Sequence, residues 1–197
     1  MSKPSSDASS SKQVSFDDEP LVLVDADNNV LGYEMKAACH VGEGILHRAF
    51  SVFLFDESGR FLLQMRAAGK PLWPLYWSNS GCSHPRKGED EIEAVTRRVE
   101  EEVGTKASLE FVYRFQYQAR FGDVGSEREL CAVYLGKVDG EIVANETEIE
   151  EWTWIEPEEL DRRVAENPDA FTPWMKMEWA RLRGDLADRL APYLRKA

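Results

Sequence analysis

The sequence predicts an α+β fold, a single domain in which helices flank one mixed β-sheet. Segments with strand character come first, one helical segment interrupts them, and further helices follow late in the chain. A length of 197 residues with 43% hydrophobic residues suits one domain with a buried core. We place this domain at residues 20–197.

Residues 1–19 differ in composition from the rest of the chain. They are rich in serine, contain four acidic residues and no arginine, and have little apolar content. They lack the apolar core of a secretory signal and the Arg-rich character of a transit peptide. We predict a disordered N-terminal tail, and we expect deletion of residues 2–18 to leave fold and activity intact.

Apolar segments bounded by turn residues predict the strands. Residues 47–55 are apolar on both faces, which predicts a central strand. In the segment 127–138, Glu127 and Glu129 share a face with Cys131, so two carboxylates point toward the interior. The remaining predicted strands are 21–24, 30–35, 61–66, 109–121 and 152–155.

A helix is predicted between Asp90 and Gly104, because apolar residues recur there at helical spacing and a glycine ends the pattern. Its predicted buried stripe comprises Ile92, Val95, Val99 and Val103. Arg98 and Glu102 share a face at the margin of this stripe, where charges need partners such as a metal or an anion. Salt bridges along an ordinary amphipathic helix are the alternative. Later helices are predicted at 157–166 and from Thr172 onward.

Composition argues against several classes of protein. A net charge of −12 is unlike a nucleic-acid binder, which carries a basic patch. No apolar run approaches the length needed to cross a membrane. The three cysteines are odd in number and widely spaced, so they predict no disulfide framework and suit the reducing cytoplasm.

The stretch from Ser78 to Glu89 carries the clearest chemical signal. Its glycines, prolines and small polar residues predict a shaped loop or short edge strand. On extended backbone, Cys82 and His84 point to the same side. The chain has only three histidines, all in segments that converge on the predicted sheet. Together with the two inward carboxylates they suit a divalent transition metal, with the candidate ligands His40, His47, His84, Glu127 and Glu129.

Four cationic residues lie near the same elements: Lys36, Arg66, Lys70 and Arg98. In a chain this acidic, such residues are more often solvated or paired in salt bridges. Grouped around one pocket, they would bind a phosphate or diphosphate.

The predicted helix also carries an altered Nudix signature. Aligned on Gly104, the matching positions are Ser83, Glu89, Arg97, Arg98, Val99, Glu101 and Glu102. Ser83 replaces the first glycine, and Arg98 replaces a glutamate that helps Nudix hydrolases bind magnesium. A cation at that position weakens the case for hydrolysis and favours a bound phosphate, while the fold signal survives.

On these motifs the chain resembles the type I isopentenyl-diphosphate isomerase family, which has a Nudix-like fold. The resemblance runs from about residue 21 to near the C-terminus and includes the motifs 78–85, 97–104, 127–129 and 172–175. It implies interconversion of isopentenyl and dimethylallyl diphosphates by metal-dependent 1,3-allylic proton transfer through a carbocation-like intermediate, in isoprenoid precursor biosynthesis.

The resemblance also implies residue roles. Cys82 and Glu129 would handle the two protons, with Tyr117 beside Glu129 and Trp174 facing the hydrocarbon. The cations Lys36, Arg66, Lys70 and Arg98 would bind the diphosphate. The ligands His40, His47, His84, Glu127 and Glu129 would hold Mg²⁺, Mn²⁺ or Zn²⁺, and Glu102 would bind a second ion, Mg²⁺, together with the diphosphate.

No flavin or nicotinamide is implied, nor a nucleic-acid, membrane or obligatory protein partner. The expected partner is the small isoprenoid diphosphate, bound by a monomer or weak dimer in the cytoplasm. Two alternatives stay open. A Nudix hydrolase would release phosphate from a diphosphate substrate, and a non-catalytic metal-binding or interaction domain would bind metal without either reaction.

Overall fold

The structure, a computed structural model, describes residues 11–194. Over this range it confirms the predicted α+β class. The strands are Pro20–Val24 (β1), Val30–Met35 (β2), His47–Phe55 (β3), Phe61–Arg66 (β4), Trp77–Ser78 (β5), Gly81–Ser83 (β6), Lys106–Phe121 (β7), Gly125–Asp139 (β8) and Ile149–Ile155 (β9). The helices are Lys36–Cys39 (α1), Glu91–Glu102 (α2), Pro157–Glu166 (α3), Pro173–Arg183 (α4) and Ala187–Leu190 (α5).

All nine strands of the described range belong to one mixed sheet, with β3 at its centre as predicted. Strand β3 pairs antiparallel with β1, β4 and β6, and parallel with β8. The long hairpin of β7 and β8 joins the sheet through β8. Strand β9 pairs with β4, and β2 pairs with β1 at an outer edge.

The central strand is apolar on both faces because the sheet has a core on each side. On one face, Phe53 and Phe55 pack in the cluster that includes residues of α3 and α4. On the other face, Phe50, Val52 and Leu54 pack against α2. Removing both faces of β3 from water contributes strongly to stability, since burying one such side chain is worth about 1.5–3 kcal/mol.

Helix α2 has the predicted start and end signals. The Asp90 carboxylate accepts a hydrogen bond from the Ile92 backbone N–H at 3.0 Å, which caps the first turn. Gly104 follows the last turn with φ of +68°, and a Cβ there would lie 2.2 Å from the Val143 carbonyl oxygen. The predicted buried stripe is wrong at Ile92, which is 41% exposed. Ala94 is buried in its place, in the same cluster as Val95, Val99 and Val103.

Three local features differ from the sequence prediction. The short helix α1 and the two-residue strand β5 lack the periodicity that longer elements show, so no pattern indicated them. The predicted tail also differs, because residues 12–19 lie against the domain and Val14 is only 7% exposed. Residues 1–10, the rest of the predicted tail, lie outside the described residues. Within the described range, every helix is too short or too polar to cross a membrane.

Candidate active site

The three histidines come from different elements that meet at one end of the sheet. His47 begins β3 and stands opposite Glu129 in the parallel register with β8. His84 directly follows β6, whose Cys82 is paired with Ser51 of β3. His40 directly follows α1, and its carbonyl oxygen accepts a hydrogen bond from the Ser126 backbone N–H at 2.9 Å. The sheet pairings therefore bring the histidines and the carboxylates of β8 together.

One ligand atom from each of His40, His47, His84, Glu127 and Glu129 lies within 4.8 Å of all the others. Two of the rings are oriented by backbone carbonyls. His40 Nδ1 lies 2.6 Å from the Lys36 carbonyl oxygen, and His47 Nδ1 lies 2.7 Å from that of Ile45. With the ring proton donated there, each Nε2 presents a lone pair to the centre of the cluster.

These lone pairs face other acceptors. His47 Nε2 lies 3.1 Å from His84 Nε2, and His40 Nε2 lies 2.8 Å from Glu127 Oε2. Among the described residues, Glu127 Oε2 is buried without a hydrogen-bond partner. Converging imidazoles and carboxylates suit a divalent cation, which would neutralise them. The residues present therefore fit the metal that the sequence predicts here.

The electrostatics of the cluster agree with this fit. Burial lowers the pKa of His84, and the neighbouring His47 lowers it further, so the ring stays neutral as a ligand requires. Burial raises the pKa of Glu129, but the neighbouring His47 and a hydrogen bond from Tyr117 lower it overall. Burial lowers the pKa of His40, but the adjacent Glu127 carboxylate outweighs burial and raises it. The two carboxylates thus favour positive charge here.

Cys82 and Glu129 line one pocket of about 230 Å³. The Tyr117 hydroxyl donates to Glu129 Oε2 at 2.7 Å and holds the carboxylate in place. Burial raises the pKa of Cys82 to about 12, although Arg66 lowers it, so the thiol keeps its proton at neutral pH. Arg66 Nη1 lies 3.6 Å from Cys82 Sγ.

Trp174 forms another wall of the pocket and is only 2% exposed. Its Nε1–H donates to Asn79 Oδ1 at 3.1 Å, which joins the first turn of α4 to the stretch before Cys82. Thr172 stands at the helix N-cap position, but its hydroxyl bonds Ser78 at 2.9 Å instead of capping the backbone. The first hydrogen bond holds the indole ring, and the second holds the start of the helix that carries it. Sequence alone did not indicate Asn79 as its partner.

The four predicted cations, Lys36, Arg66, Lys70 and Arg98, all line this same pocket. Arg66 is oriented by the carbonyl oxygens of Leu72 and Trp73, at 3.0 and 3.1 Å. Their convergence in one pocket suits an anion. Lys70 and Arg98 are also paired with buried carboxylates, as the salt-bridge alternative expected.

Glu102 stands apart from the histidine cluster and is paired with Arg98, at 2.5 Å between Arg98 Nη2 and Glu102 Oε1. Burial raises the pKa of Glu102 although Arg98 lowers it. Sequence reasoning missed a further carboxylate, Glu148, which is 3% exposed and contacts both Lys70 and Arg98. It lies in an acidic stretch before β9, where nothing in the local pattern distinguishes it from its neighbours.

Two residues of the predicted tail, Ser15 and Asp17, also line the pocket. The Val14 carbonyl oxygen accepts a hydrogen bond from Arg98 Nη1 at 2.5 Å, and the Ser15 hydroxyl contacts Lys36. These contacts place part of residues 12–19 at the site, where the sequence had assigned the segment no role. Polar composition predicted disorder, whereas the acceptors of this segment meet cations far along the chain.

This fold and site define a Nudix-domain protein with a cluster of three histidines and two carboxylates that is compatible with a divalent metal. The NUDIX domain family matches residues 45–175. A solved Deinococcus radiodurans structure is similar in fold, with a TM-score of 0.61 and 24% identity, covering 75% of this chain and 89% of that chain.

Relatives with higher sequence identity identify the family within the Nudix-domain proteins. The chain is 40% identical to isopentenyl-diphosphate Delta-isomerase 1 of Photorhabdus laumondii over 87% of this chain and 99% of the relative. It is 42% identical to the isopentenyl-diphosphate Delta-isomerase of Serratia proteamaculans over 84% of this chain and 98% of the relative. The chain belongs to the isopentenyl-diphosphate Delta-isomerase family.

Proposed function

We propose that this protein interconverts isopentenyl diphosphate and dimethylallyl diphosphate. The observation that carries the proposal is a single pocket that joins a protonated thiol, a carboxylate of the metal cluster and four cations. Acid, base and diphosphate anchor are the three parts that this isomerisation needs. The names of the relatives point to the same reaction.

The reaction moves a double bond from C3–C4 to C2–C3 of the substrate. A proton adds to C4, the electron pair of the alkene forms the new C–H bond, and C3 becomes a tertiary carbocation. Loss of a proton from C2 then returns an electron pair as the new double bond. One proton enters and one leaves, so the reaction is balanced without a redox cofactor.

Cys82 and Glu129 are the proposed proton-handling pair. The raised pKa of Cys82 keeps its thiol protonated, and the lowered pKa of Glu129 keeps its carboxyl ionised. One acid and one base are therefore present in the resting site, as general acid–base catalysis requires. Tyr117 orients the Glu129 carboxylate through its hydroxyl.

Trp174 is proposed to shelter the carbocation. An aromatic face attracts a cation through its quadrupole, by about 2 kcal/mol or more in a desolvated site. Arg66 lies over this ring, with Cζ 5.3 Å from its centroid, and this contact supports the proposal that the indole faces a cation. The buried indole also excludes water, which would otherwise capture the carbocation.

The cations Lys36, Arg66, Lys70 and Arg98 are proposed to bind the diphosphate. Charge-assisted hydrogen bonds to its oxygens fix one end of the substrate. The reacting carbons are then held against Cys82 and Glu129, so orientation is established before the chemical step.

Two divalent ions are proposed. His40, His47, His84, Glu127 and Glu129 would hold Mg²⁺, Mn²⁺ or Zn²⁺, whose charge would stabilise ionised Glu129 and tune its basicity. Glu102 would hold Mg²⁺ together with the diphosphate.

Hydrolysis is the competing Nudix reaction. In Nudix hydrolases the position of Arg98 carries a metal-binding glutamate. Here the guanidinium forms ion pairs with Glu102 and Glu148 and faces the pocket. A cation at this position holds an anion and provides no metal ligand, which favours isomerisation with the diphosphate intact.

The proposed setting is the cytoplasm, with a small isoprenoid diphosphate as the partner and a monomer or weak dimer as the working form. Cys39, Cys82 and Cys131 are all free thiols. A reducing compartment keeps Cys82 in the thiol form that the reaction needs.

The test is incubation of purified protein with isopentenyl diphosphate, Mg²⁺ and Mn²⁺ in deuterated water. We expect dimethylallyl diphosphate and solvent deuterium in both isomers, without release of phosphate. Cys82→Ala should reduce both signals by at least about 100-fold, as loss of an acid–base group does. Cys131→Ala is the matched control, because Cys131 is a buried thiol outside the pocket lining. Phosphate release without exchange would identify a hydrolase instead, and full activity in Cys82→Ala would refute the role of the thiol.

A further inference from the structure

The N-terminal segment, residues 12–19, contacts the domain at both ends and near its centre. At one end, the Lys12 carbonyl oxygen accepts a hydrogen bond from Asn145 Nδ2 at 2.8 Å. At the other end, the Glu19 carbonyl oxygen accepts from the Lys36 backbone N–H at 2.9 Å, and the Glu19 carboxylate pairs with Arg86 at 3.1 Å. Between these ends Val14 is buried. The segment therefore has a defined path over the pocket.

Its central contacts fall on two of the four diphosphate-binding cations. The Val14 carbonyl oxygen accepts from Arg98 Nη1, and the Ser15 hydroxyl contacts the Lys36 ammonium. Every nitrogen of the Arg98 guanidinium is engaged, because Nε and Nη2 contact Glu102, Nη2 lies 3.5 Å from Glu148, and Nη1 also lies 3.3 Å from Glu101. An incoming diphosphate must therefore displace an existing acceptor. A neutral carbonyl on a terminal segment is a weaker partner than a buried carboxylate.

The charge of the N-terminal segment also indicates competition with a diphosphate. Asp17 lines the pocket, and Asp18 and Glu19 follow it directly. These acidic side chains attract the cations of the pocket when no anion is bound there. They repel a diphosphate that binds to the same cations, so the segment and the diphosphate compete for one site.

We propose that the N-terminal segment is an intrasteric cover of the diphosphate site, which the diphosphate displaces when it binds. This inference rests on the proposed function, because it takes the four cations as the diphosphate site. Covering Arg98 and Lys36 lowers the affinity of the resting enzyme for any diphosphate. Only a ligand that engages both cations releases the segment.

The first test uses the full chain and limited trypsin digestion. Trypsin cleaves after Lys12, an exposed residue whose carbonyl is held by Asn145. Inorganic diphosphate with Mg²⁺ should speed cleavage of the Lys12–Gln13 bond by at least about fivefold, the lower end of typical coupling between two binding events. Cleavage that is unchanged or slower would show that the segment stays in place and would overturn the inference.

The second test compares two full-length variants by calorimetric titration with inorganic diphosphate and Mg²⁺. Val14→Asp places a charge at a buried position and should expel the segment, which tightens diphosphate binding about fivefold or more. Gln13→Asp makes the same change of charge at the adjacent exposed residue and should bind like wild type. Equal affinity in all three proteins, or weaker binding by Val14→Asp alone, would overturn the cover. Absence of diphosphate binding in all three would instead refute the diphosphate site itself.

Discussion

Glu178 provides a prediction that depends on tertiary structure alone. It lies on α4, is 0% exposed, and has no salt bridge to any described residue. Its Oε1 lies 3.6 Å from Cys131 Sγ, and its Oε2 is buried without a hydrogen-bond partner in the described part of the chain. Burial raises the pKa of this carboxyl, hydrogen bonds from Ser51 and Cys131 oppose the rise, and the charge of Glu129 adds to it, which leaves a pKa of about 8 instead of 4.5. The folded protein therefore keeps Glu178 protonated at neutral pH.

The sign of the pH dependence follows from this raised pKa. Above pH 4.5 the unfolded chain loses the Glu178 proton, whereas the folded chain holds it until about pH 8. Unfolding then releases a proton, so stability falls as pH rises through this window. At pH 7 the contribution of this one group lowers the free energy of unfolding by about 3 kcal/mol relative to pH 4.5. Above pH 8 the loss levels off.

Glu178→Gln removes the titration while keeping the shape of the side chain. The free energy of unfolding of the variant, minus that of wild type, should rise by about 3 kcal/mol from pH 4.5 to pH 7. This difference is independent of any constant penalty for the buried amide. Other titrating groups, including the neighbouring Glu129, Cys131 and Tyr113, are present in both proteins.

Urea denaturation at pH 4.5, 5.5, 7 and 8.5 measures the difference directly. Glu100→Gln, the same substitution at an exposed residue of α2, serves as the control for loss of a carboxyl. If the difference between Glu178→Gln and wild type changes by less than about 1 kcal/mol across this range, Glu178 is not a protonated acid in the folded protein.

Two further predictions concern the metal cluster and the pocket wall. His40→Ala combined with His84→Ala should abolish stoichiometric metal binding, measured by elemental analysis after dialysis. Chelators should abolish turnover of the wild-type protein. Unchanged metal content and activity in the double variant would contradict metal binding by the cluster. Trp174→Phe should keep part of the activity, whereas Trp174→Ala should lose much more, mainly in kcat, because carbocation stabilisation acts near the transition state. A core role would instead reduce Tm in proportion to the volume removed, with normal turnover in the folded variant.

The sequence by itself determined the features that depend on neighbouring residues. The two-sided apolar run of β3, the helical spacing and terminal Gly104 of α2, and the alternation of Glu127 and Glu129 with Cys131 are local periodicities. Each predicts an element and the direction of its side chains. The three histidines and the signature around Arg98 predicted the metal-binding and diphosphate-binding chemistry. The meeting of the histidines in one site was inferred from the predicted sheet.

Tertiary structure decided the features that depend on partners distant in the chain. Arg98 meets Val14 from the predicted tail and Glu148 from the loop before β9, and neither partner lies at a spacing that a pattern would reveal. Glu178 is on α4 among apolar residues, but its protonation follows only from the absence of a buried cation partner in the described range. Burial and pairing are properties of the folded arrangement, because they depend on which surfaces meet and on which charges are left without water.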